Sequence, residues 1–499
     1  MNKGTKQKKE PTLLISIIPV AVTVGLLAFS IIVYGADVHI PIILGAIVAS
    51  AIAIFSLGFT WKEIEDGIVD SISSTMQAIL ILAIIGILIG TWIAGGIVPT
   101  MIVYGLKILS PTFFLAASLL LCSVVSLATG SSWTTAGTVG VALIGVAQGL
   151  GVSLPLAAGA IISGAYFGDK ISPLSDTTNL APAMAGSQLF DHIKHMLYTT
   201  TVSYGITLVI FVILGLQYRG SVLDTTEINA IIEAISSIYT INPILLLVPV
   251  IVIVMVAMKV PAIPGLIIGC ILGAIATVYQ GGDFGLILDV SNYGAVSETG
   301  HEMVDNLLTR GGLQSMMWTI SLIMCALTFG GVLEKTGMMA VIANKLLILA
   351  KSTGSLVLVT AVTCLFVNIL CGDQYLALAL PGKMFKDTYR ERGLAPRNLS
   401  RILEDSGTVT SALVPWNTCG ATMSTFLGVP TLSYIPYAFF NLLSPIVSVS
   451  FAYLGISIMT LEEDPAAAEY VRPMKFKKSS KELMDIQTRY QNLNNIKSA

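Results

Sequence analysis

Residues Gly164 to Gly186 read GAYFGDKISPLSDTTNLAPAMAG, and they lie in strongly apolar surroundings. The stretch nonetheless packs Asp169, Lys170 and Asp176 together with Ser172, Ser175, Thr177, Thr178 and Asn179. Pro173 and Pro182 each remove a backbone donor and push the preceding residue away from helical geometry. The flanks Ala157–Phe167 and Leu180–Met184 are too short to be separate spans. The spacing therefore predicts one interrupted helix over Leu154–Phe190, with a surface loop between two spans as the plainer alternative. Irregular, ionisable backbone at membrane depth is tolerated only within protein or beside a watery cavity. A carboxylate there marks an ion or proton pathway.

The rest of the chain supplies the membrane. Of 499 residues, 54% are hydrophobic and only 11% charged, with mean hydropathy +0.83. Apolar runs long enough to cross a bilayer recur throughout. The fold class is an all-α polytopic membrane protein whose partner is the lipid bilayer. A net charge of −2, with no basic tract interleaved with aromatics, points to no nucleic acid. Cys122, Cys270, Cys325, Cys364, Cys371 and Cys419 lack CxxC spacing, so neither a zinc site nor a disulfide framework is implied.

Along the chain, residues 1–12 form a tail with Lys3, Lys6, Lys8 and Lys9, cytoplasmic by the positive-inside rule. Residues 13–216 form a first half. Its spans are followed by interfacial segments at Thr60–Thr75 and Pro99–Leu109. Two apolar arms, Phe113–Ala128 and Trp133–Gly149, flank the polar knot Thr129–Thr135 and predict a re-entrant hairpin. Residues 217–240 read as a polar external linker. The second half, 241–457, repeats the order. It has an acidic loop Gln280–Gly312, arms Ser355–Leu370 and Tyr375–Phe385 around the knot Cys371–Gln374, and a basic loop Lys383–Arg401. An interrupted helix Asn398–Leu427 and a last span Leu432–Ile456 follow, and residues 458–499 form a second cytoplasmic tail. Gly130 pairs with Gly372, Gly96 with Gly337, Asp169 with Asp405 and Asn179 with Asn417 at nearly constant separation. Two repeats of about five spans each, an odd number, have inverted topology, each with a re-entrant hairpin and a broken helix.

The chemistry follows from the four polar breaks converging. Sodium prefers hard oxygen donors. Asp176 leads the candidates because Thr177, Thr178 and Asn179 follow it directly; Asp176 and Asn179 are the expected Na+ ligands. Asp169, Asp373 and Asp405 come next for ion binding and proton coupling. Thr129, Ser131, Ser132, Thr134, Ser175, Thr177, Thr178, Asn417 and Thr418 supply further oxygens. Burial favours the protonated carboxylate and a bound cation the charged one, so Na+ and H+ compete at one Asp. No prosthetic cofactor is called for. Asp405 reads alternatively as a cytoplasmic helix cap, and Lys170 as a neutralising neighbour of Asp169. His192 and His195 read as interfacial, Trp133 and Trp416 as packing residues.

With SLATGSSWTTAGTVG (126–140) upstream, and ILCGDQYLALALPGKMF (369–385) and LEDSGTVTSALVPWNTCG (403–420) downstream, the chain resembles the NhaC family of bacterial Na+/H+ antiporters. The resemblance implies a bacterial inner-membrane location, Na+ and H+ as transported ions, and kinship with the ion-transporter superfamily. By that analogy it implies elevator-type movement and a homodimer. Dicarboxylate-transporting relatives carry Ser-Asn-Thr at the hairpin tips, whereas here they read GSSWT and CGDQ. The family also contains a malate/lactate-exchanging branch, so a Na+- and H+-coupled carboxylate exchanger is the alternative function. An intramembrane aspartyl hydrolase, with Asp169 and Asp373 or Asp405 as a dyad, is a remote one.

Overall fold

In the computed structural model, residues 8–219, 225–258 and 260–464 are described. Lys3 and Lys6 of the first tail, residues 220–224 of the linker, Lys259 and the second tail from residue 465 lie outside them. Among the described residues the chain is helical, with only two isolated β-bridges, Ala295–Arg310 and Leu394–Thr460. Among the described residues, eight helices are long and apolar enough to cross a membrane, or up to ten if two bent pairs each count as one span. The protein is a polytopic membrane protein.

Both polar knots are two-residue hairpin tips with the same local chemistry. Helix Pro111–Thr129 ends at Gly130, whose φ of 66° suits a residue without Cβ. Ser131 then caps the next helix by accepting the Thr134 amide at 3.1 Å. In the second half, Thr353–Cys371 ends at Gly372 with φ 65°, and Asp373 caps Gln374–Glu391 by accepting the Leu376 amide at 3.0 Å.

Each broken helix follows its hairpin. The first is Leu154–Ile171 and Asp176–Ala185, with Ser175 capping the second piece. The free carbonyls at the break need partners in apolar surroundings. Thr178 supplies them, donating to Asp169 O at 3.1 Å and Lys170 O at 2.9 Å. Asn179 donates to Pro173 O and Ser175 O. The second runs from Pro396 to Ser411 through a π-helical turn at Leu403–Thr408, then resumes at Thr418–Leu427. Asn417 caps its second piece.

Element bounds recur at an offset of 242. Pro111–Thr129 corresponds to Thr353–Cys371, Asp176–Ala185 to Thr418–Leu427, and the closing Gly186 to Gly428. A cross-helix bond recurs as well: Ser126 Oγ donates to Ala165 O at 2.5 Å, and Asn368 Nδ2 to Gly407 O at 2.7 Å. This register replaces two pairings expected from sequence. Asp169 aligns with Ser411, Asp405 with Ser163, and Asn417 with Ser175 rather than Asn179.

Several local expectations are corrected. Within the supposed polar linker, Thr225–Ile238 is a helix that buries Ile231 and Ile235, because its apolar residues share one face. The short helix Ile97–Ile108 is largely buried against Val141–Gly149 rather than interfacial. Helices occupy most of the supposed basic loop, up to Glu391 and again from Pro396, and bury Arg397 and Arg401. His192 and His195 are buried, not interfacial. The segment Thr60–Thr75, open to helix or loop from sequence, forms the helix Trp61–Ser74. Its start is set by a capping box between Thr60 and Glu63. The Lys8 ammonium, with the Thr60 cap, holds the Glu63 carboxyl down at about 2.

Pro111–Thr129 crosses Leu154–Ile171 at close range. Gly164 and Gly168 stand four residues apart, as in close-packed membrane helix pairs. A Cβ on Gly164 would lie 2.3 Å from Leu119 O, and one on Gly168 2.4 Å from Ser123 O. Backbone cannot yield as a side chain does. Gly164→Val should therefore exceed the ordinary overpacking penalty of about 1–3 kcal/mol and prevent recovery of monodisperse protein in detergent. Gly205→Val, with nothing within 4 Å of its Cβ, should elute like the unmodified chain; size-exclusion chromatography decides.

Candidate functional site: an acidic cavity between tips and spans

The first hairpin tip abuts the first break. A Cβ on Gly130 would sit 2.7 Å from the Leu174 backbone. The Ser132 amide, at the start of the second arm, donates to Asp169 Oδ2 at 3.1 Å. A cavity of about 410 Å³ opens here. One side is formed by Thr129–Trp133, Asp169 and Pro173–Thr177, with Gln374 and Tyr375 from the second hairpin. The opposite wall is Gln77, Ala78 and Ile81 of helix Met76–Ala94, with Val256, Val260, Pro261 and Ala262.

The structure sorts the expected residues. Asp169 is 6% exposed and turned to the cavity, with Ser132 and Ser175 each 1% exposed and Thr177 3%. Asp176, the leading candidate from sequence, is an exposed residue of the cavity lining. Asn179 is exposed and outside the lining, its amide spent on the break. Thr178 is likewise engaged with carbonyls, and Thr134 lies behind the tip. Asp373 is fully buried behind Gln374 and holds the second tip: its Oδ1 accepts from Leu376 and its Oδ2 from Thr75 Oγ1 at 3.2 Å. Asn417 and Thr418 belong to the second tip rather than the cavity. The Thr418 amide donates to Gly372 O at 2.7 Å, and Asn417 Nδ2 to Asn368. Trp416 donates to Ile369 O. The first tip and break thus meet in the cavity, and the second tip reaches it through Gln374 and Tyr375.

Asp405 is neither at the surface nor a cap. It lies in the π-turn, fully buried, and pairs with the Lys170 ammonium. Lys170 also donates to Ser444 Oγ at 2.9 Å, and Thr199 Oγ1 donates to Asp405 Oδ2 at 2.9 Å. Lys170 therefore compensates Asp405 and not its chain neighbour Asp169. The pair ties the two broken helices together and places no cation in the cavity.

Sequence reasoning passed over Glu404 as a site residue. It is fully buried, accepts from Thr408 Oγ1 at 2.6 Å, and its Oε1 has no hydrogen bond. The Thr177 hydroxyl is turned toward it. The signal was a Glu-Asp dipeptide inside an apolar broken helix. Near the far end of the pair, His192 Nδ1 shares a hydrogen bond with Ser400 Oγ, and Arg397 pairs with Asp464 and Asp191. Among the described residues no three His, Cys, Asp or Glu side chains gather as a metal cluster. The donor set at the cavity is carboxylate, hydroxyl and amide oxygen.

A polytopic helical protein with two broken helices and an acidic cavity at a hairpin tip has the build of a secondary transporter. The Na+/H+ antiporter family profile matches residues 164–456. The Na+/H+ antiporter NhaC of Alkalihalophilus pseudofirmus is 40% identical over 453 residues, 90% of this chain and 97% of that protein. The malate-2H+/Na+-lactate antiporter of Bacillus subtilis is 38% identical, over 93% of this chain and 99% of that one. The arginine/ornithine antiporter ArcD of Halobacterium salinarum is 39% identical, over 90% and 93%. The chain belongs to the Na+/H+ antiporter family and is a transporter.

A buried pair is worth little over an apolar substitute, but a lone buried charge is expensive. Lys170→Met or Asp405→Leu alone should lower stability by about 3–5 kcal/mol, and the double variant should recover most of the loss. Thermal unfolding in detergent reads the cycle; a double variant as unstable as the sum of the singles would show that the pair is not the link.

Proposed function

We propose that this protein exchanges Na+ for H+ by alternating access, with Asp169 as the carboxylate both ions use. One observation carries the reading: Asp169 is the buried carboxylate that faces the cavity, bonded to the hairpin tip and not paired with a basic side chain. A carboxylate walled off from bulk water stays charged only with a cation beside it. Sodium can sit between Asp169 and the hydroxyl oxygens of Ser131 and Ser175. A proton on the same carboxyl replaces it, so each ion must leave before the other binds. Asp176, at the more open part of the lining, attracts cations inward without being the coupling group.

The cavity lies between two groups of helices, tips and breaks on one side and spans on the other. Sliding of the first group past the second would carry Asp169 between the two membrane faces. The constant offset of 242 supports two halves of the same build, inverted as their odd number of spans requires. We place both tails in the cytoplasm and the protein in the bacterial cell membrane, and a homodimer is the assembly that elevator-type movement favours. Among the described residues the lining contains Asp169 and Asp176 but no Lys or Arg, which disfavours the carboxylate alternative. An aspartyl dyad has no counterpart, since Asp169, Asp373 and Asp405 are each bonded to different groups.

In proteoliposomes with a pH-sensitive dye, Asp169→Asn should lower sodium-dependent proton efflux by about two orders of magnitude, as expected when the proton-carrying group is removed. Asp176→Asn should keep most of it; the reverse ranking would overturn the assignment. Cysteines placed at the exposed positions Thr240 and Arg392 should label from opposite sides of the membrane. Labelling from one side would refute the inverted arrangement.

A further inference from the structure

Glu404 is a buried carboxylate that the exchange reading leaves unused. It lies in the π-turn of the second broken helix, fully buried, yet it borders the site of the first half. Its Oε2 accepts from Thr408 Oγ1 at 2.6 Å, and its Oε1 accepts no hydrogen bond among the described residues. The Thr177 hydroxyl is turned toward that carboxyl. Thr177 Oγ1 in turn lies 3.1 Å from Ser175 Oγ, and Ser175 stands beside Asp169 in the cavity wall. Asp169, Ser175, Thr177 and Glu404 thus stand in file from the cavity into the protein. Lys170 and Cys364 also face Glu404, and Lys170 is bonded to Asp405 and Ser444.

A hydroxyl has one hydrogen to give and two lone pairs to accept with. One Ser175 lone pair takes the Thr178 amide at 3.4 Å. Its hydrogen can go inward to Thr177 or outward to Asp169, and the choice decides what the cavity meets. Given to Asp169, it puts a positive hydrogen where a cation would sit. Given to Thr177, it leaves the second lone pair facing the cavity, and Thr177 must then donate onward. The free Oε1 of Glu404 is the acceptor in that place. A buried acceptor without a donor is costly, so the chain gains from running inward.

We propose that Glu404 is a positioning residue for the cation site: it accepts from Thr177, Thr177 accepts from Ser175, and the Ser175 oxygen is thereby turned to Na+. The role needs an acceptor at Oε1 and no change of charge on Glu404 during exchange. It rests on the reading of Asp169, Ser131 and Ser175 as the oxygens that hold Na+.

The test measures sodium-dependent proton efflux from proteoliposomes that hold the full chain. Glu404→Leu should raise the apparent KM for Na+ about tenfold, with the maximal rate at saturating Na+ unchanged. Thr177→Val, which keeps the shape and removes the hydroxyl, should do the same, and it carries the test where Glu404→Leu is not recovered. The double variant should be no worse than either single one, because both cut one chain. Glu404→Gln, whose amide oxygen still accepts from Thr177 while its nitrogen donates to Thr408, should bring the KM back to within about twofold. Loss of exchange in Glu404→Gln would overturn the inference and make Glu404 a proton carrier. A KM raised as far as in Glu404→Leu would assign the effect to its charge and overturn the inference too. An unchanged KM in both Thr177→Val and Glu404→Leu would overturn it and leave the antiport reading standing. Efflux that survives Asp169→Asn at full rate would instead sink the reading of the cavity on which the inference rests.

Discussion

A backbone that stops being helical inside a membrane must find partners for every free amide and carbonyl. That constraint organises this protein. At the first break Thr178 takes the carbonyls of Asp169 and Lys170, and Asn179 takes those of Pro173 and Ser175. At the second, the Thr418 amide is bonded to Gly372 O and Asn417 is held by Asn368. Each break is thus closed by its own first turn or by the neighbouring tip. Facing the cavity at the first tip and break are Asp169, Ser131 and Ser175, whose side-chain oxygens each accept one backbone amide.

Charge is placed by the same economy. Six charged-type side chains of the broken helices lie buried: Asp169, Lys170, Arg397, Arg401, Glu404 and Asp405. Lys170 and Asp405 cancel one another, with two hydroxyls completing their bonds. Asp169 is left with an amide and hydroxyls, partners that orient a carboxylate without neutralising it. A fixed internal cation beside Asp169 would remove its need for a mobile one. Lys170 is turned away from Asp169 to Asp405 and Ser444, so the fold sets no fixed cation from that residue beside Asp169.

The close packing of glycine-bearing helices explains why the site is rigid although it is irregular. Hairpin and broken helix meet backbone to backbone at Gly164 and Gly168, and Ser126 reaches across to Ala165 O. The equivalent bond from Asn368 to Gly407 O makes the second half as firm. The tips are therefore held to their breaks, and Thr75, at the start of helix Met76–Ala94, is bonded to Asp373 of the second tip.

Much was legible in the sequence because its signals are local. Prolines at 173 and 182, a glycine followed by a capping Ser or Asp, and long apolar runs are enough to read breaks, tips and spans. Which of the cavity carboxylates is buried was not legible, since burial depends on residues distant in the chain. Asp176 looked best because hydroxyls follow it, yet Thr178 and Asn179 serve the backbone. Asp405 read as an ion-binding candidate or else a cytoplasmic cap after a basic loop, yet Lys170, 235 positions earlier, had claimed it. Sequence alone determined a polytopic helical chain with polar breaks; tertiary contacts decided which charges cancel and which buried carboxylate faces the cavity. The physical reason is that a helix break is written in a few consecutive residues, whereas a counter-ion can come from anywhere in the fold.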